Sequence, residues 1–348
     1  MPMTSKSKVA IPELSVPQWL FGSVEQPLSN EPLILDADEP EQFSLSLASY
    51  RNWSQRLAQG LRSAGLCDGD RVLYISGNTI AYPIVFMGTL MAGAIFSGAS
   101  PTLAVSQLIR QTIELSPTFI LTSSDGLTAA KETAAATNVD SHRVFVVDRQ
   151  DLFSPPLSSP AEPTAQGHGH WRELLANNDS AFNWSTNSQH RQTAVINYTS
   201  GSTGIAKGVV VSHRNLVANA VQYIEQQRGA SSQHPTIWVM WPPMYHVVGQ
   251  NQFCLIAPKR GIKNYIMESF ALEPLLKHTE RYRGTEMFLM PPLIIKLLHD
   301  PLVTQYDLSS VRVVMVGGAP LRQSITDQFK ARMPNKTLSV HQGWGMTE

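Results

Sequence analysis

Asn197 to Leu216 reads NYTSGSTGIAKGVVVSHRNL, with glycines at 201, 204 and 208, hydroxyls at Thr199, Ser200, Ser202 and Thr203, one lysine at 207 and no acid. The apolar run TAVINYTS before it has strand length, and a helical pattern from His213 to Gln227 follows it. Small residues between a strand and a helix let backbone N–H groups crowd round an anion, while the hydroxyls add donors and Lys207 adds positive charge. A nucleotide polyphosphate suits such a loop. The P-loop of NTPases requires a glycine before the lysine and Ser or Thr after it; here Ala206 and Gly208 stand there. A hydrolase elbow fails as well, since no Gly-x-Ser-x-Gly surrounds Ser200 or Ser202. The bland alternative, a turn that merely joins strand to helix, does not account for the length and hydroxyl density.

Elsewhere, runs of strand length alternate with helical periods, the mark of an α/β fold with parallel sheets covered by helices. Strands are expected at RVLYIS, TFILTS, RVFVVD, TAVINYTS, TIWVMW, TEMFLMP and VRVVMVGG. Helices are expected over 105–115, 127–136, 215–226, 272–282 and 323–333. VRVVMVGG is almost continuously apolar, as a strand buried on both faces should be. From Val72 to Ile109 no residue is charged, which admits a membrane span. Pro83, Pro101 and several glycines favour a buried strand-helix-strand instead. The Pro-, Ser- and Gly-rich stretch Ser154 to Gly169 is expected to be a surface connection between two sub-domains.

The 348 residues suffice for a sizeable core, and 27 basic residues balance 27 acidic ones without a dense block of either sign. That pattern favours small-molecule partners over nucleic acid or a membrane surface. Cys67 and Cys254 lack a zinc-like spacing and are expected in the core of an intracellular protein. The N-terminal residues show no secretory leader, and the cytoplasm is favoured over the peroxisome.

YTSGSTGIAKGV resembles the phosphate-binding signature of the adenylate-forming superfamily, which includes acyl- and aryl-CoA synthetases, peptide-synthetase adenylation domains and luciferases. Four further stretches resemble that superfamily in the same order: LMAGAIFSGASPTL from Leu90, MYHVVGQ from Met244, VMVGGAPL ending at Leu321, and the terminal GWGMTE. The resemblance implies the superfamily's large N-terminal domain, with two parallel-sheet sub-domains, part of a small β region and no C-terminal mobile domain. Residues 1–43 are expected as an extension, 44–348 as the domain, and a surface linker near 152–169.

The resemblance also implies roles. Thr199, Ser200, Gly201, Ser202, Thr203, Gly204 and Lys207 would hold the β- and γ-phosphates of ATP, stabilising the leaving pyrophosphate. Tyr245, His246, Val248, Gly249 and Gly318 would line the acid pocket. Gly317, Gly318, Ala319 and Pro320 would form the adenine platform, with Gly343, Trp344, Gly345, Met346 and Thr347 on the other side of the nucleotide. Trp344 stands where relatives usually carry a stacking tyrosine, and it too can stack. Thr347 would contact the α-phosphate and Glu348 would hold Mg²⁺. Lys207, His246, Thr347 and Glu348 form the expected catalytic set, with CoA as second substrate.

MYHVVGQ offers no acid to pair an amino acid's ammonium, and GMTE is similar to the CoA-ligase form of the terminal motif, which favours a hydrophobic aryl or medium-chain acid. One methylene changes discrimination by only about 1–3 kcal/mol, so chain length is not legible here. Relatives continue with a ribose-binding aspartate, a hinge and a small domain carrying the adenylation lysine. The expectation is that these 348 residues alone bind nucleotide or acid weakly and turn over poorly. A non-catalytic binding module derived from a ligase is the second reading. A serine hydrolase is the third, with only scattered serines and histidines in its favour.

Overall fold

The computed structural model of the protein describes residues 8–153, 168–175, 183–184, 190–199, 206–227 and 235–347. In chain order the elements begin with α1 (Val16–Phe21), β1 (Pro32–Asp36), β2 (Ser44–Ser46), α2 (Leu47–Ser63), β3 (Arg71–Ile75), α3 (Tyr82–Met91), β4 (Ile95–Ala99), α4 (Val105–Leu115), β5 (Phe119–Thr122) and α5 (Leu127–Thr137). Next come β6 (Val144–Val146), β7 (Gly169–His170), β8 (Thr193–Tyr198), β9 (Gly208–Ser212), α6 (His213–Gln227), β10 (Ile237–Met240) and α7 (Val247–Gly249). A π-helix (Gln250–Ile256) leads into α8 (Ala257–Arg260), β11 (Lys263–Ile266), α9 (Leu272–Arg281), β12 (Glu286–Leu289), α10 (Pro291–His299), β13 (Val313–Val316), α11 (Gln323–Arg332) and β14 (Ser339–Gln342).

The strands form two seven-stranded sheets, ordered β14-β13-β12-β10-β11-β1-β2 and β7-β6-β5-β3-β4-β8-β9. All pairings are parallel except β1 with β2 and β8 with β9. The first sheet is therefore discontinuous in sequence, and the second is inserted between β2 and β10. One apolar cluster gathers residues of both sheets, among them Ile34, Val72, Phe96 and Met240, with α3 and Phe253 to Ala257. Two smaller clusters lie under Leu272 to Leu338 and under α4 and α5.

Every residue of α3 is buried, and α3 runs from the loop after β3 to β4, so the uncharged stretch is the strand-helix-strand of the buried reading. No helix among the described residues is long and apolar enough to cross a membrane. Four expectations change. Residues 16–36, assigned to an extension, are built into the fold: Trp19, Leu20 and Phe21 are buried and β1 pairs with β11. The stretch 154–169 joins β6 to β7, neighbours in one sheet, so it does not separate two sub-domains; residues 154–167 lie outside the described ones. Strands of the described residues all belong to the two sheets, with no separate small β region. Cys254 is buried, but Cys67, in the turn after α2, is exposed beside the exposed Asp68, and its N–H donates to the half-buried Asp70 carboxylate at 2.9 Å.

Candidate functional site

The loop from Thr199 to Lys207 closes the β8–β9 hairpin. Tyr198 is paired with Gly208, and beyond that pair the Thr199 N–H donates to the Lys207 carbonyl at 3.1 Å. Thr199 is half-buried and Lys207 is exposed. Ser200, Gly201, Ser202, Thr203 and Gly204 lie outside the described residues. One pair back from the loop, Asn197, 2 % exposed, bonds the fully buried Gln250. Its amide nitrogen donates to Gln250 Oε1 at 2.9 Å, and Gln250 Nε2 donates back to Asn197 Oδ1 at 3.0 Å.

Gln250 ends the MYHVVGQ segment. Its N–H donates to the His246 carbonyl at 3.0 Å, and the His246 N–H donates to Pro243 C=O at 3.2 Å. The Tyr245 and His246 rings lie with centroids 4.9 Å apart, tilted 50°. His246 keeps an exposed edge, yet desolvation by surrounding protein lowers its pKa, which leaves the ring neutral at pH 7. Val248 is exposed. Gly249 is buried in a close backbone approach: a Cβ there would stand 2.2 Å from the Pro243 carbonyl oxygen and 2.6 Å from Met244 Cα.

Gly317 to Pro320 leave the end of β13 at the surface, with Gly318 at φ +85°, which only glycine adopts without strain. The terminal segment lies beside them: the Gly343 N–H donates to Val316 C=O at 2.8 Å. Gln342 clamps the backbone of Leu321 from both sides, accepting from its N–H at 3.0 Å and donating to its carbonyl at 3.1 Å. Gly343, Trp344, Gly345 and Met346 are exposed, Trp344 by 89 %, and Thr347 is half-buried. Glu348, the expected magnesium ligand, lies outside the described residues, and among those described no group of three or more His, Cys, Asp or Glu is gathered to hold a metal.

The structure thus joins the end of β8, next to the 199–207 loop, to the MYHVVGQ segment, and the glycine turn to the terminal segment. A cavity of about 530 Å³ opens where the carboxyl ends of strands from both sheets meet, lined by Ser76, Ser100, Ser123, Trp241, Tyr245 and Phe270 among others. Carboxyl ends are where open α/β sheets hold ligands. Among the described residues, Tyr245 is the one expected site residue that lines that cavity. A second space of similar size, about 540 Å³ beside Ile113 and Asn138, is lined by no expected site residue among those described. Sequence reasoning missed Asn197, Gln250 and Gln342 as positioning groups. For Asn197 and Gln250 the signal was present, since each is an amide in or directly after an apolar run, where a buried polar group requires a partner; the exposed Gln342 gave none. It missed Asn78 too, whose amide donates to Trp241, Pro242 and Met267 carbonyls at 3.0–3.1 Å while its Oδ1 accepts from the Met244 N–H at 2.8 Å.

A family model described as AMP-binding enzyme matches residues 25–348. The 4-coumarate-CoA ligase-like 3 of Arabidopsis thaliana is 30% identical over 286 residues, 82% of this chain and 49% of that protein. The 4-coumarate-CoA ligase 1 of Petroselinum crispum is 26% identical over 345 residues, 97% of this chain and 59% of that protein. The crystal structure of ATP-bound MatB from Rhodopseudomonas palustris has the same fold, with a TM-score of 0.75 at 21% identity over 96% of this chain and 60% of that one. The chain spans roughly half the length of the curated relatives it matches, 49% and 59% of these two. Since the family match runs through both sheets and every motif described above, the chain belongs to the AMP-binding enzyme family.

Proposed function

We propose that the chain activates a hydrophobic carboxylic acid with ATP, through an acyl-adenylate, to an acyl-CoA. The relatives named as 4-coumarate-CoA ligases and the ATP-bound structural neighbour support this reading. The observation that carries it is that Thr199, whose N–H donates to the Lys207 carbonyl, stands two residues after Asn197, and Asn197 pairs with Gln250, whose N–H donates to the His246 carbonyl; this proximity supports reading the loop suited to phosphate and the segment suited to an acid together.

In this reading the loop 199–207 and the Lys207 ammonium hold the β- and γ-phosphates. The turn 317–320 and Trp344 enclose the adenine, and Thr347 meets the α-phosphate. Tyr245, the neutral His246, Val248, Gly249 and Gly318 receive the acid. The carboxylate attacks the α-phosphorus and pyrophosphate leaves; the CoA thiol then attacks the acyl carbon and AMP leaves. Catalysis comes from holding two anions in line and offsetting charge that grows on the departing pyrophosphate. Mg²⁺ would be held by Glu348 together with phosphate oxygens and would add to that charge neutralisation.

Acid-dependent exchange of labelled pyrophosphate into ATP tests the reading, with 4-coumarate, benzoate, octanoate and phenylalanine as the panel. Exchange with one of the three apolar acids and none with the amino acid is expected, and poor turnover by these 348 residues is measured in the same assay. Lys207→Ala is expected to lower exchange by about a hundredfold or more, the scale set by loss of one preorganised group facing developing charge. Failure of ATP and of every acid to bind the purified chain would refute the reading, while ATP binding without exchange would support the binding module instead.

A further inference from the structure

The cavity of about 530 Å³ between the sheets is not accounted for by the functional reading: apart from Tyr245, none of its described lining residues is assigned there to nucleotide or acid. Its volume is that of an ordinary small-molecule site, and it opens where α/β sheets hold ligands. Two properties of its wall say which kind of ligand. The first is aromatic surface. Trp241, just past β10, is 8 % exposed and its Nε1–H donates to the Phe288 carbonyl at 2.9 Å, so the indole is fixed in place. Phe270 stands edge-on to it, with ring centroids 4.8 Å apart at 64°, and Tyr245 lines the same space.

The second property is charge. Asp125 after β5, Asp148 after β6 and Glu268 after β11 all line the cavity. Among the described lining residues Arg149 is the one basic group, and its guanidinium is directed to Asp36 and, at 3.2 Å, to Glu39, neither of which lines the cavity. The lining is therefore acidic in a chain whose formal net charge is zero. The acids do not converge on one point as metal ligands do, since no group of three or more His, Cys, Asp or Glu among the described residues is gathered to hold a metal. Carboxylates spread round a cavity with an aromatic wall suit a cation that has an apolar body: the ammonium meets the acids or a ring face, and the carbon skeleton lies on the rings. A phosphate or carboxylate would be repelled there.

We infer that this cavity is a binding site for an organic cation, an aryl- or alkylammonium compound, adjoining the acid-binding turn through Tyr245 and distinct from it. The inference stands apart from the functional reading, whose ligands are all anions.

The test is calorimetric titration of the 348-residue chain at neutral pH with phenethylamine, which is then a cation, and with 2-phenylethanol, its uncharged counterpart of similar shape. Phenethylamine is expected to bind one to a chain and about tenfold or more tighter than the alcohol, the scale of several partly exposed carboxylates acting together. Asp125→Asn, Asp148→Asn and Glu268→Gln combined remove charge and keep shape, and the amide at 148 retains the acceptor used by the Gln150 N–H. This triple variant should bring the amine down to the affinity of the alcohol while leaving the alcohol's own affinity unchanged. Glu268→Gln alone, at an exposed position, should weaken the amine about threefold. Phe270→Leu should weaken it about threefold or more through loss of a ring face. Circular dichroism of each variant at the titration temperature establishes that it is folded. Absence of amine binding, equal binding of amine and alcohol, or unchanged amine affinity in the folded variants overturns the inference. Displacement of the bound amine by CoA also overturns it and gives the cavity to the nucleotide of CoA. None of these outcomes bears on pyrophosphate exchange, so the functional reading is judged separately.

Discussion

His213 is a residue whose chemistry the fold alters strongly. It opens α6, is 2 % exposed, and its Nδ1 accepts the Val16 N–H at 3.2 Å, so it must be neutral on that nitrogen. Burial pushes its pKa from 6.5 down to about 4. The unfolded chain therefore takes up a proton between pH 6.5 and 4 that the folded chain refuses, and stability falls as pH falls through that window. At 1.36 kcal/mol per pKa unit the loss approaches about 3 kcal/mol near pH 4. His213→Asn keeps an acceptor facing Val16 but cannot be protonated. Urea unfolding should show a flatter decline for it between pH 6.5 and 4 than for the unaltered chain, and parallel curves would contradict the assignment. None of this was legible in SHRNL, where His213 reads as an ordinary helix start; its burial depends on α1, almost two hundred positions away in the chain. The hydroxyls and glycines of the 199–207 loop were legible because their density is local. The partner of Asn197 was not, because Gln250 is brought to it only by the tertiary fold.

At the scale of elements, period and continuity gave good guidance wherever a segment met one environment along its length. Helix α4 spans Val105–Leu115 as expected, and strands β3, β5, β8, β10, β12 and β13 fall inside the expected runs. The omissions have physical causes. Strand β9 follows the loop so closely that GVVVS merges with the helix after it, and β11 carries Lys263 and a buried Asn264 that break its apolar pattern. Strand β1 gains its place by pairing with β11, far away in sequence. MYHVVGQ reads as the lining of an acid pocket, yet Val247–Ile256 folds as one helical turn followed by a π-helix, with Gly249 packed closely on Pro243 and Met244. Gly249→Ala places a methyl group against the Pro243 carbonyl and Met244 Cα, backbone atoms that cannot rotate away. A loss of about 1–3 kcal/mol in stability is expected, as for overpacked cores generally. If the acid sits on that turn, 4-coumarate binding should weaken more than ATP binding. Thermal unfolding and titration of the same preparation check both, and equal weakening of the two ligands would argue that the turn does not line the acid pocket.

Over the whole molecule, two sheets built from interleaved parts of the chain must keep their carboxyl ends in register if one cavity is to open between them. The shared core supplies cohesion without direction. Asn78 supplies direction: standing after β3 in the second sheet, it shares its two amide hydrogens among the Trp241, Pro242 and Met267 carbonyls, which follow β10 and β11 of the first, and accepts the Met244 N–H. Sequence shows only an asparagine after a strand, a common turn residue, since its four partners lie more than 160 positions away. Asn78→Ala strands one buried N–H and up to three carbonyls. Each group left unpaired costs about 1–3 kcal/mol, partly relieved by water entering the cavity, so a total loss on the order of 3–5 kcal/mol is expected. Asn78→Asp keeps the acceptor for Met244 but turns negative charge toward three carbonyl oxygens, and should destabilise at least as much despite its near-identical shape. Urea unfolding read from Trp238 on β10 and from Trp171 just after β7, in single-tryptophan backgrounds, places one probe in each half. Because the clamp acts between the sheets, both midpoints should fall together in either variant. A fall at Trp238 with an unchanged midpoint at Trp171 would mean that Asn78 braces only the loops of the first sheet, and that the apolar core alone holds the two halves in register.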